Sequence, residues 1–96
     1  MELGRGYEID KDNVTHRIID QEAVILNLDN GYYYSLNEVG TIIWESINRK
    51  MSLSEILCFL EEKYHLPKEN LKKDLLELVK DLEKEKLIIE IKKASN

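Results

Sequence analysis

Apolar residues in this chain follow the pattern of short strands from about residue 14 to residue 36 and a helical period after it. The first thirteen residues, with Gly4, Gly6 and scattered charges, sustain neither period and are expected to form a loose arm. Residues 14–19 mix β-branched and polar side chains, and Ala23-Val24-Ile25-Leu26-Asn27-Leu28 is a short apolar run rich in strand formers. A turn at Asp20-Gln21-Glu22 would join them. Asp29-Asn30-Gly31 is the strongest turn signal in the chain, because asparagine and glycine tolerate the positive backbone angles of a tight hairpin. A third strand, Tyr32-Tyr33-Tyr34-Ser35-Leu36, follows. Alternation sends Tyr32, Tyr34 and Leu36 to the core face and Tyr33 and Ser35 to the other.

Three helices are expected next. Val39, Ile42, Ile43, Trp44 and Ile47 form an apolar face ending near Asn48, opened by a capping box of Ser35 with Glu38 or by Asn37 as a rival cap. Ser52 with Glu55 repeats the box before Ile56, Leu57, Phe59, Leu60 and Tyr64. Pro67 marks a third start, and from residue 68 to about 86 Leu71, Leu75, Leu78 and Leu82 make a core stripe widened by Leu76 and Val79. Leu87-Ile88-Ile89-Glu90-Ile91 suits a short closing strand, and residues 92–96 should fray. The sum is an α+β, winged-helix-like fold in which a three-stranded antiparallel sheet precedes three helices. A single domain would run from residue 14 to residue 91, which suits a chain of 96 residues.

That size leaves no room for a deep catalytic cleft. The net charge of −5 opposes polyphosphate, although a local basic patch could still recruit nucleic acid. No apolar stretch has the length of a signal peptide or a membrane span, so a cytoplasmic location is expected. Cys58, within Ile56-Leu57-Cys58-Phe59-Leu60, reads as a buried small hydrophobe without an activating neighbour.

His16 and His65 lie far apart and in no zinc-like spacing; His16 reads as a strand surface residue and His65 as the end of the second helix. Carboxylates on the last helix interleave with lysines as on a solvated face, and no phosphate loop or nucleophile motif is present. No catalytic residue, metal or cofactor is therefore expected. The tyrosine run supports two readings equally. Tyr32 and Tyr34 can be core aromatics with Tyr33 an ordinary strand residue, or the strand can be a sheet edge whose free backbone groups pair with an incoming extended peptide. A helix lying across that edge would complete a groove, with Leu75, Leu76 and Val79 as an apolar floor and Lys72 and Lys73 drawing an acidic peptide to its mouth. Core broadening accounts for the same apolar residues.

The stretch Leu28-Asp29-Asn30-Gly31-Tyr32-Tyr33-Tyr34-Ser35-Leu36-Asn37-Glu38-Val39-Gly40-Thr41-Ile42-Ile43-Trp44 resembles the PqqD-like family, the pyrroloquinoline quinone biosynthesis protein D group, and especially its free-standing members in lasso-peptide pathways. The likeness extends from about residue 14 to residue 89. It implies a recognition element that binds the leader of a ribosomally made precursor as an added strand on the third strand, packed on the third helix. Carried onto this chain, the peptide-binding residues are Tyr32, Tyr33, Tyr34, Ser35 and Leu36 on the strand and Lys72, Leu75, Leu76 and Val79 on the helix. The implied partners are the precursor with a leader protease and cyclase, or a radical enzyme using S-adenosylmethionine. Two alternatives stay open: a DNA-binding winged helix, opposed by the acidic balance and by Glu69 and Asp74 early in the third helix, and a homodimer through the same edge strand.

Overall fold

A computed structural model describes residues 4–91; the start of the expected arm and the expected fraying tail at 92–96 lie outside the described residues. The chain runs β1 (Gly6–Ile9), β2 (Val14–Ile19), β3 (Glu22–Asn27), β4 (Tyr33–Ser35), α1 (Glu38–Asn48), α2 (Leu53–Tyr64), α3 (Lys68–Lys84) and β5 (Ile88–Ile91). Strands β2, β3 and β4 form the antiparallel sheet in that order, ahead of the three helices.

The first strand corrects the expectation of a loose arm. β1 pairs antiparallel with β5, from Gly6 opposite Ile91 to Ile9 opposite Ile88. Tyr7 and Ile9 alternate into the core while Glu8 points outward, beside Lys50 at 3.7 Å. Four residues are too few for a period of two to stand out from a polar surrounding, so this strand is defined by its distant partner. Further contacts hold the segment, since Leu53 N–H donates to the Arg5 carbonyl at 2.9 Å and Gly6 bridges to Ser52.

In the β2–β3 hairpin Ile19 lies opposite Glu22, leaving Asp20 and Gln21 as a two-residue turn with φ of 50° and 68°. Positive φ at both positions is the geometry that follows the twist of the strands. The β3–β4 connection is longer than a tight hairpin. The Asn27 side-chain oxygen accepts from the N–H groups of Asp29 and Asn30, the Asn30 side chain accepts from Tyr32 N–H, and Gly31 takes φ 76°. Asn27 also donates to the Glu85 carbonyl at 3.3 Å, tying this loop to the end of α3.

α1 is capped by Asn37, which accepts from Gly40 N–H at 2.8 Å; Ser35 is held in β4 instead. Ile43, Trp44 and Ile47 face the sheet and are fully buried. Thr41 accepts from Ala23 N–H at 2.7 Å, fixing α1 to β3. His16 is not a plain surface residue: it is half-buried, its ring set edge-to-face with Trp44 at 5.5 Å. The Ser52–Glu55 capping box opens α2 as expected. Cys58 and Phe59 are exposed, contrary to the reading of Cys58, because the α2 core line passes through Leu53, Ile56, Leu57 and Leu60. α3 follows Pro67, buries Leu71, Leu75, Val79 and Leu82, and stops at Lys84, with Lys86 at φ 63° turning the chain into β5. Each fully buried leucine, isoleucine or valine stabilises this core by roughly 1.5–3 kcal/mol.

Candidate functional site: an edge strand beside a helix

β4 is the outer strand of its sheet, and among the described residues nothing pairs with its free side. Asn27 N–H donates to the Tyr32 carbonyl and Leu36 N–H to the Ala23 carbonyl, which sets the phase of the ladder. With Ile25 opposite Tyr34, alternation turns the backbone groups of residues 32, 34 and 36 toward β3 and those of Tyr33 and Ser35 outward. The strand thus offers outward donors and acceptors at Tyr33 and Ser35 to an extended chain.

Side chains at β4 partly depart from simple alternation. Tyr34 and Leu36 are half-buried against the core, as alternation requires. Tyr32 is 65% exposed instead of meeting the core. It lies beyond the end of β4, and the position that faces it on β3 holds the buried polar Asn27, so no apolar surface receives its ring. Tyr33 is 69% exposed on the opposite face. There Thr15, His16, Arg17, Ile19, Val24, Leu26 and Tyr33 line a shallow cavity of about 390 Å³.

The neighbour of β4 across the groove is one flank of α3. The Tyr34 hydroxyl donates to Glu85 Oε1 at 2.9 Å at one end. At the other, Leu78 reaches Gly40 beside Leu36: a Cβ placed on Gly40 would stand 3.5 Å from Leu78 Cδ2 and 3.2 Å from Leu36 Cβ. Gly40 lets these three elements approach closely. Partial burial and the Glu85 carboxylate hold the Tyr34 phenol above its ordinary pKa, which favours its protonated, donating form.

The helix residues expected in this groove lie elsewhere. Leu75 is fully buried beneath α3 and Val79 is almost so. Leu76 and Val79 line a cavity of about 370 Å³ with Arg5, Tyr7, Leu53, Lys80 and Glu83, on the β1 side of the helix. Lys72 follows the same flank by helical period, and Lys73 faces solvent. Two residues not expected there, Leu78 and Glu85, bound the β4 side instead. Both sit on one side of the Leu71–Leu75–Leu82 line, a relation contained in the helical period once the neighbour on that side is known. Among the described residues no group of three histidine, cysteine or carboxylate side chains could hold a metal ion, and no helix is long and apolar enough to cross a membrane.

Comparison with known proteins agrees with this architecture. A structure of "TbiB1 in Complex with the TbiA(beta) Leader Peptide" superposes with a TM-score of 0.79 at 26% identity, covering 93% of this chain and 99% of that one. A second, "Lasso peptide synthetase B1 complexed with the leader peptide", superposes with a TM-score of 0.78 at 19% identity, covering 86% of this chain and 96% of that one. At that identity the second likeness speaks to the fold alone. No curated protein matches the sequence. The family model for coenzyme PQQ synthesis protein D (PqqD) matches residues 22–88, from the second strand of the hairpin to the start of β5, and the chain belongs to this family.

Proposed function

We propose that this chain is a non-catalytic recognition module, spanning residues 14–91 with β1 as an added clasp, that binds the leader segment of a ribosomally made precursor peptide. The leader adds antiparallel or parallel to β4, pairing with the outward backbone groups of Tyr33 and Ser35, and lays alternate side chains against Tyr34, Leu36 and Leu78. The observation that carries this reading is the free edge of β4 held beside α3 by the Tyr34–Glu85 hydrogen bond. The structural relative at 26% identity, solved in complex with a leader peptide, supports it. The chain works in the cytoplasm, in trans, delivering the leader to a leader protease and cyclase of a lasso-peptide pathway and raising the local concentration of precursor there.

Fluorescence anisotropy of a labelled leader from a precursor encoded beside this chain tests the proposal. Saturable binding at micromolar concentration or below is expected, reduced at least about tenfold by Tyr33→Pro, which removes one outward N–H without touching the β3–β4 ladder. Undiminished binding by a folded Tyr33→Pro protein would exclude strand addition at this edge. A dimer through β4 would instead show as a larger species in sizing chromatography that the leader dissolves.

A further inference from the structure

The flank of α3 beside β4 carries a stripe of carboxylates around one leucine. Along α3 and its C-cap, Asp74, Leu78, Asp81 and Glu85 follow one another at intervals of four, three and four residues, so they share a single stripe. Leu78 and Glu85 place that stripe on the β4 side, through Gly40 and Tyr34 respectively. Asp74 and Asp81 are exposed. No lysine or arginine nitrogen forms an ion pair with either among the described residues, where the ion pairs are Arg5 with Glu90 and Lys50 with Glu8. Of the lysines nearest this stretch in sequence, Lys73 is turned to solvent and Lys72 and Lys80 to the β1 flank. Lys84 and Lys86 border Glu85 at the loop end, and Lys84 also lies one turn from Asp81 without an ion pair to it, so the negative stretch with no cation paired to it runs from Asp74 to Asp81, with Leu78 at its middle.

Building on the leader-binding reading above, we infer that this groove selects a leader with a lysine or arginine at groove-facing positions on either side of an apolar residue. An added strand turns every second side chain toward the helix, at intervals of roughly 7 Å, while Asp74 and Asp81 are separated by roughly 10 Å of helix rise. An apolar residue over Leu78, flanked two positions away on each side by a long basic side chain, matches apolar to apolar and cation to carboxylate. The carboxylates act on partner choice and association rate more than on total affinity, since they stand in water at the rim. An acidic leader is repelled by the same wall.

A double-mutant cycle with the intact protein tests this. The probes are the fluorescein-labelled leader of a precursor encoded beside this chain and the same peptide with every lysine and arginine changed to glutamine. Each is titrated by anisotropy against the wild type and against a protein carrying Asp74→Asn and Asp81→Asn, at about 50 mM and at about 500 mM salt. The exposed amide substitutions should leave the melting temperature unchanged. At low salt, neutralising the peptide or the helix should each weaken binding by about fivefold, the two together by little more, and the difference should shrink at high salt. Equal binding of both peptides to the wild type, or unweakened binding by the folded double variant, overturns the charge selection while leader binding stands. If neither peptide binds the wild type, the leader reading fails and this inference with it.

Discussion

Trp44 fills the centre of the molecule, with no hydrogen-bond partner for its indole N–H among the described residues and His16 set against its ring. An unsatisfied buried donor costs about 1–3 kcal/mol, so the size of the ring rather than its polar atom justifies the residue. Trp44→Ala should lower unfolding stability by roughly 3–5 kcal/mol in a denaturant titration. A loss below about 1 kcal/mol would mean that the cavity collapses freely around the deletion. Asn27 joins three parts through one side chain, taking two N–H groups of the β3–β4 loop and donating to the carbonyl of Glu85. Its position on the inward face of β3 also explains why Tyr32 has no core to enter.

For the elements, the question is which flank of α3 meets a peptide. Leu76 and Leu78 are both half-buried leucines two positions apart, yet one borders the β1-side cavity and the other the β4 groove. Leu78→Ala should weaken leader binding by about tenfold, as expected for loss of apolar contact near 1.4 kcal/mol, while Leu76→Ala should stay within about twofold. The reverse order in anisotropy titrations would move the peptide to the β1 side of the helix. Val79 is a poor probe for either flank, since it belongs to the core and a polar substitution there would disturb the fold first.

At the level of the whole molecule, β1 and β5 close the structure by pairing residues from opposite ends of the chain. Tyr7 lies in this clasp. Burial raises its phenol pKa from the usual 10.0, outweighing the opposing hydrogen bond with Arg5, and the nearby carboxylates of Glu83 and Glu90 add to the rise. The fold therefore favours the neutral phenol. Its stabilising contribution is complete below pH 10, where the unfolded tyrosine is also neutral, and is lost as the pH climbs through the raised folded value. The melting temperature should accordingly fall above pH 10, with a shallower slope in Tyr7→Phe. Parallel slopes for the two proteins would show that the clasp does not respond to this ionisation. Tyr34 and Tyr64, whose phenols are raised in the same direction by partial burial and by Glu85 and Glu38, keep part of the slope in the variant.

Local chemistry determines most of the element order. The turn at Asp20-Gln21, the Ser52–Glu55 capping box, the start of α3 after Pro67 and the buried faces of α1 and α3 all depend on neighbours within about four residues, which is the range over which a period or a cap is legible. The strand run through Tyr33, Tyr34 and Ser35 is legible for the same reason, and the family likeness is densest there. Cys58 shows where such reading falls short, since an apolar run fixes a helix but not which of its residues points outward. Long-range packing decided the remainder. β1 became a strand because β5, some eighty positions later, supplied its hydrogen bonds, and Tyr32 was left in solvent by a polar residue across the sheet. The helical period of α3 places Leu76 and Leu78 on opposite sides of the core line, but a period is an angle about one axis. Only the arrival of β4 on one side and β1 on the other determines which of them borders the edge strand.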